Sequence, residues 1–144
     1  MVESASGAGE LLGVWRLVSA KAQTEDTGEA LDLLGADPQG FIVFGPDGRM
    51  MTVLTASGRA PPANETEMAA AFRGMTAYTG RFTVEQDRVV TKVDVAWHPA
   101  WENTRQIRFF KLEGDRLTLT SEVQGHPSHP GRKLRGVIVW TREA

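Results

Sequence analysis

The sequence predicts an all-β protein, a closed antiparallel barrel with one short helix, and three observations predict it. Gly13-Val14-Trp15 opens the first strand-like run, and Arg142 stands two residues from the C-terminus. A last strand that pairs back onto the first brings these two residues together and leaves no edge open. The Arg142 guanidinium can then lie over the Trp15 indole, a contact worth about 0.5–2 kcal/mol. The second half of the chain reads as strand after strand, with two connections of matching length, Glu85-Gln86-Asp87-Arg88 and Glu113-Gly114-Asp115-Arg116. Earlier, Asp47-Gly48 between two apolar runs is a strong hairpin signal. Small barrels of this kind enclose a cavity for one small ligand, so the fold points toward binding.

Residues 1–10 read as a flexible tail, small and polar, with no apolar stretch of the kind a signal peptide needs. Residues 11–144 then form one barrel domain. Leu12 to Ala22 is the first strand. Thr24 to Gly35 is a polar loop whose Leu31, Leu33 and Leu34 fold onto the barrel. Gly40–Phe44 and Met50–Leu54 flank the turn Gly45-Pro46-Asp47-Gly48.

A helix is predicted over residues 65–73. Asn64 caps it, and Glu67 completes the capping-box spacing. Glu65 and Glu67 complement the helix dipole, and Gly74 stops it. Met68, Ala71, Phe72 and Met75 fall on one stripe, expected to face the barrel with Met68 and Phe72 pointing in. The helix is then either a plain plug or a lid over the mouth. Strands follow at Tyr78–Val84, Val89–Trp97, Thr104–Leu112 and Leu117–Val123. Gln124 to Leu134, rich in Gly, Pro and His, reads as an irregular loop. Gly136–Thr141 is the last strand.

Side-chain faces follow from strand alternation. Read as four-residue hairpin loops, the two matched connections put Val84 opposite Val89 and Leu112 opposite Leu117. One inward set is then Tyr78, Gly80, Phe82, Val84, Val89, Thr91, Val93, Val95 and Trp97. The other is Thr104, Gln106, Arg108, Phe110, Leu112, Leu117, Leu119, Ser121 and Val123. Arg81, Lys92, Asp94, Arg105, Lys111 and Glu122 fall outward. Arg108 breaks the apolar pattern. An unpaired buried charge costs several kcal/mol, so Arg108 needs a backbone carbonyl, a carboxylate, cavity water or a ligand.

Composition narrows the function classes. The net charge of −2 argues against nucleic acid. The absence of Cys excludes a disulfide scaffold, a thiolate zinc site and a cysteine nucleophile. No apolar run approaches the length of a membrane-spanning helix, so no membrane partner and a cytoplasmic location are expected. The expected partner is a small apolar ligand, with a homodimer left open.

The ordered series Gly13-Val14-Trp15-Arg16-Leu17-Val18-Ser19, Gly40 with Phe44 and Asp47-Gly48-Arg49-Met50, and Ala71-Phe72-Arg73-Gly74 with Tyr78-Thr79-Gly80-Arg81-Phe82 resembles the lipocalin-like domain family of bacterial and fungal proteins. Gln106-Ile107-Arg108-Phe109, the run Leu112 to Leu119, and Trp140-Thr141-Arg142 continue the resemblance, which covers nearly the whole chain after residue 10. It implies an up-and-down barrel of eight to ten strands with an interior pocket. It also implies an association with natural-product biosynthesis, and barrels of this type can guide cyclisations. The chain departs from the family pattern at Thr91 and Lys92, where relatives often carry His, and at Asn103, where Gly is usual. A catalytic base on such a His would be missing here.

The candidate chemistry is sparse. His126 and His129 are three apart, but Pro-flanked loop positions set no metal geometry, so no metal is expected. His98, in Trp97-His98-Pro99-Ala100-Trp101, is the best-placed proton carrier near neutral pH. A haem ligand or an exposed loop histidine are its other readings; no cofactor is expected. The candidate catalytic residues are Arg108, His98 and Tyr78. The candidate ligand-binding residues are Arg108, Gln106, Phe110, Trp97, Trp101, Tyr78, Phe44 and Phe72. Trp97 and Trp101 would form an aromatic rim. Arg108 and Gln106 would engage a ligand oxygen inside an apolar pocket. The function expected is binding of a small, largely apolar organic molecule. The alternative is a cofactor-free cyclase or isomerase in the same pocket, with Arg108 stabilising developing negative charge. A third reading is an interaction module with a vestigial pocket.

Overall fold

The computed structural model describes residues 8–25, 27–126 and 129–143; of residues 126, 129, 130 and 132 the backbone alone is described. In chain order the elements are β1 (Gly13–Thr24), β2 (Ala30–Asp32), β3 (Gln39–Phe44), β4 (Arg49–Thr55), α1 (Glu65–Arg73), β5 (Met75–Glu85) and β6 (Arg88–Ala96). A 3₁₀ turn (Pro99–Trp101) leads to β7 (Arg105–Glu113), β8 (Arg116–Ser121), β9 (Gln124–His126) and β10 (His129–Arg142). Eight antiparallel strands run β1-β3-β4-β5-β6-β7-β8-β10, and β10 pairs back onto β1 to close the barrel. The short β2 and β9 pair with β1 and β10 beyond this ring. The described part of the expected tail, residues 8–10, is a helical turn that runs into the fully buried Leu11. No helix among the described residues is long and apolar enough to cross a membrane.

Closure pairs Trp15 directly with Arg142. The two matched connections are tighter than the four-residue loops expected. Glu85 pairs with Arg88 and Glu113 with Arg116, so each turn has two central residues. The first of these takes a positive φ, 60° at Gln86 and 63° at Gly114. Shortening a loop by one residue on each side preserves parity, so Val84 still faces Val89 and Leu112 still faces Leu117.

Three expectations are corrected by pairing that local sequence does not encode. Gln124 to Leu134 is not an irregular loop: β9 and the start of β10 form a ladder there, with a register shift between His129 and Lys133. Pro130 and Gly131 occupy that irregularity, as ladder-breaking residues do. The loop after β1 contains β2, which pairs Ala30–Asp32 with Lys21–Gln23. Val95 does not face inward. The β5–β6 register shifts between Thr79 and Gly80, leaving Asp94 as the extra residue, and Val95 is 60% exposed. Lys92 and Asp94 both face solvent.

The bulge at Asp94 has its own supports. Arg49 on β4 makes a two-pronged contact with it, Nη1 to Oδ1 at 3.1 Å and Nη2 to Oδ2 at 2.8 Å. Gly80 lies so close to β6 that a Cβ there would sit 2.1 Å from the Lys92 carbonyl oxygen. A side chain at 80 therefore forces the strands apart.

The interior is filled unevenly. On β1 the inward residues are Trp15 and Leu17. A bulge between Leu17 and Ser19 then resets parity, and Ala20, Ala22 and Thr24 follow. Their partners on β10 are Arg142, Trp140, Ile138, Gly136 and Leu134. Large side chains thus meet at one end of this seam, and further along Ala20 and Ala22 on β1 and Gly136 on β10 leave it thin. Trp15, Trp140, Phe44, Met50 and Leu117 pack the first end solid. Phe44 and Phe82 meet edge-on there at 5.1 Å. The small residues beyond cannot fill the cross-section of an eight-stranded barrel, which leaves a cavity.

Candidate functional site

The cavity encloses about 90 Å³, several times the roughly 10–15 Å³ that one ordered water needs. Its wall is mostly apolar: Ala20, Ala22, Leu33, Leu34, Ile42, Leu54, Leu119, Leu134, Ile138 and Trp140. Polar side chains enter at Thr52, Thr76, Tyr78, Arg108, Ser121 and Gln124, and Trp101 closes one side. An apolar chamber with a few placed polar groups is the usual construction of a small-molecule site.

Alternation on β7 carries Arg108 to the wall. Its Nη1 donates to the Ile107 carbonyl at 3.0 Å, and its Nη2 donates to Gln106 Oε1 at 3.3 Å. Gln106 is buried, and its Nε2 donates to Thr104 Oγ1 at 3.1 Å. That bond fixes the amide so that its oxygen faces the guanidinium. The Arg108 Cζ lies 6.0 Å from the Trp101 ring centre. Trp101 in turn meets Tyr78 edge-on at 5.2 Å.

From Trp101 an aromatic chain runs outward. Trp97 meets Trp101 at 5.4 Å and the Phe72 ring at 6.1 Å, and Phe72 lies 5.4 Å from His98. Trp97 Nε1 donates to the Phe72 carbonyl at 3.1 Å, which fastens α1 to the rim. The helix itself forms as its caps require: Asn64 Oδ1 accepts from Glu67 N, and Glu67 Oε1 accepts from Ala63 N.

The sequence-derived candidates therefore divide. Arg108, Tyr78 and Trp101 stand in the cavity wall. Gln106 stands behind Arg108 and orients it. Trp97 belongs to the outer rim. Phe44 is in the solid end of the core, and Phe110 packs partly buried against that core. Phe72 and Met68 do not point inward as expected. They are 40% and 55% exposed, and α1 has no buried residue. The helix lies against the rim through Phe72 instead of inserting its apolar stripe. His98 is also outside the wall, where its Nδ1 accepts from Ala100 N and caps the 3₁₀ turn. Asn103 adopts φ 62°, the left-handed region where Gly is favoured and Asn is the best-tolerated substitute. Thr91, buried on β6, takes a core position. The side chains of His126 and His129 lie outside the described residues. Among the described residues no cluster of three His, Asp or Glu could hold a metal.

Sequence reasoning missed the β1 and β10 walls. Their signal was present in the small residues Ala20, Ala22 and Gly136 at inward positions, but the bulge after Leu17 concealed the parity.

The pattern of the lipocalin-like domain family matches residues 12–143. A relative from Aspergillus oryzae, the 4'-hydroxy-3'-methoxypropiophenone carrier protein ppsC, is 31% identical over 90 residues, which cover 54% of this chain and 76% of that protein. With its closed eight-stranded barrel, its internal cavity and a match across almost its whole length, this chain belongs to the lipocalin-like domain family.

Proposed function

We propose that this protein binds a small, largely apolar organic molecule of about one aromatic ring inside the barrel, with a ligand oxygen on Arg108, and acts as its carrier. The observation that carries this reading is the cavity itself, an apolar chamber with one guanidinium in its wall. A ligand oxygen would replace water on Arg108 with a charge-assisted hydrogen bond. Tyr78 and Trp101 would supply aromatic surface for the ring. The name of the fungal relative, a carrier of an aryl ketone with one ring, supports the same class.

Binding is favoured over a cyclase or isomerase because His98, the best-placed proton carrier in the sequence, caps a turn outside the wall. Arg108 and Tyr78 are the ionisable side chains within the wall.

The test is titration with 4'-hydroxy-3'-methoxypropiophenone, followed through fluorescence of Trp101 and Trp140, both wall residues. Saturable quenching is expected, and Ala22→Leu, which puts bulk into the chamber, should abolish it while thermal unfolding stays cooperative. Quenching that persists unchanged in a folded Ala22→Leu variant would place the ligand elsewhere and overturn the reading.

A further inference from the structure

We propose that the cavity holds its ligand as an aryl oxyanion, a phenolate on the Arg108 guanidinium, and that binding drives the ligand to give up its proton. This rests on the reading of the barrel as a single-ring site and specifies the chemistry of that site.

The inference starts from charge. Arg108 is permanently cationic, and among the described residues no Asp or Glu stands in the cavity wall. Its partners among the described residues, the Ile107 carbonyl and Gln106 Oε1, are both neutral. A guanidinium has five N–H donors, so these two bonds leave others available. The Gln106 amide that helps hold Arg108 also receives a long 3.5 Å contact from Gln124 Nε2. Its oxygen is therefore already shared.

Two other polar groups of the wall, Trp140 and Ser121, keep a proton to give, while Thr52 spends its own outside the chamber. Trp140 lines the chamber, and its buried Nε1–H has no acceptor among the described residues. The Thr52 hydroxyl donates to the Phe41 carbonyl at 3.0 Å, and the Ser121 hydroxyl accepts from Gly136 N at 2.8 Å. A half-buried guanidinium with no carboxylate partner, in an apolar wall with two free donors beside it, favours a ligand that brings negative charge and acceptors.

A phenol meets this need better than a carboxylate. It can cross the apolar rim uncharged and ionise beside Arg108, releasing its proton to bulk water. A carboxylic acid is already ionised at neutral pH, so it must bear the cost of shedding the hydration of its charge or of taking up a proton before it enters. An acyl group para to the phenol spreads the charge over a second oxygen, which lowers that cost further.

The test uses 4-hydroxyacetophenone and its methyl ether, 4-methoxyacetophenone, which cannot ionise. At a pH about one unit below the free phenol's pKa, the bound phenol should show the phenolate absorption band. Its pKa should fall by about one unit or more on binding, as expected beside a cation. By linkage, the phenol should then bind about tenfold or more tightly than the ether at a pH where the free phenol is ionised. Arg108→Met should erase the band and the preference of the protein for the phenol over the ether. Arg108→Lys, which keeps the charge, should retain part of the shift and covers the case in which the Met variant does not fold. A bound phenol with the neutral spectrum, or a phenolate band that survives in folded Arg108→Met, overturns the oxyanion assignment but leaves the single-ring reading standing. Failure of both probes to bind the unmodified protein overturns the two together.

Discussion

The Arg142 guanidinium lies 4.1 Å from the centre of the Trp15 ring and ties the first barrel strand to the last. The same side chain donates to the carbonyls of Leu12 at 3.0 Å and Glu10 at 2.8 Å. Trp15 Nε1 donates to the Leu11 carbonyl at 2.9 Å. The crossing is tight enough that a Cβ on Gly13, which sits at φ 120°, would lie 3.4 Å from Arg142 Nη1. One residue thus closes the sheet, satisfies the preceding helical turn and stacks on the largest core side chain.

Trp15 is fully buried at this closure. Trp15→Ala should cost about 3–5 kcal/mol, the usual range for removing a large aromatic from a core. Chemical denaturation measures it directly. A loss well under that range would show that β1–β10 closure stands without the stacked pair.

The outer wall carries a row of like charges. Arg49 faces Arg81, Arg81 faces Lys92, and Lys92 faces Arg105 across four neighbouring strands. Arg49 is neutralised by Asp94, and Arg81 donates to the Asp47 carbonyl. Lys92 stands between two cations. Cross-strand like charges are destabilising, so Lys92→Glu should add about 0.2–1 kcal/mol. The accompanying rise in Tm should shrink as salt is added, because the groups are exposed. A drop in Tm at low salt would refute the repulsion.

The Arg49–Asp94 pair gives the acid limb of the stability profile a defined sign. The hydrogen bond from Arg49 is the main cause holding the Asp94 carboxyl below its ordinary value. A lowered folded-state pKa contributes stability that is present above the unfolded carboxylate pKa and is lost as pH falls through the lowered one. The contribution is small for so exposed a pair. Wild type and Asp94→Asn should therefore differ in Tm near neutral pH and converge in strong acid. A difference that stays constant down to strong acid would mean that the ion pair does not pin the bulge.

Parity along unbroken strands was readable without coordinates. The pairs Val84/Val89 and Leu112/Leu117 follow from alternation and from two matched turns, because a strand has a period of two whatever surrounds it. The helix at 65–73 was equally legible, since Asn64, Glu67 and Gly74 set its ends by local hydrogen bonds. Arg108 announced itself as a charge on an apolar face.

The sequence by itself therefore determined the barrel, its closure through Trp15 and Arg142, and the placing of one guanidinium toward the interior. The strands and the inward guanidinium follow from a simple period and matched turns, and closure follows from Trp15 and Arg142 standing on the first and last strands of the series. The tertiary structure alone decided where the cavity lies and what stands around it. The bulges after Leu17 and at Asp94 reverse parity, and they rest on strands distant in sequence, as Arg49 on β4 does for Asp94 on β6. The mouth was decided in the same way. A helix with a short apolar stripe can bury it or lie beside a rim, and Trp97, fixed by the β6–β7 connection, holds α1 at the rim through the Phe72 carbonyl. Local propensity sets an element's type and its ends, but its seat depends on partners that only the closed barrel brings within reach.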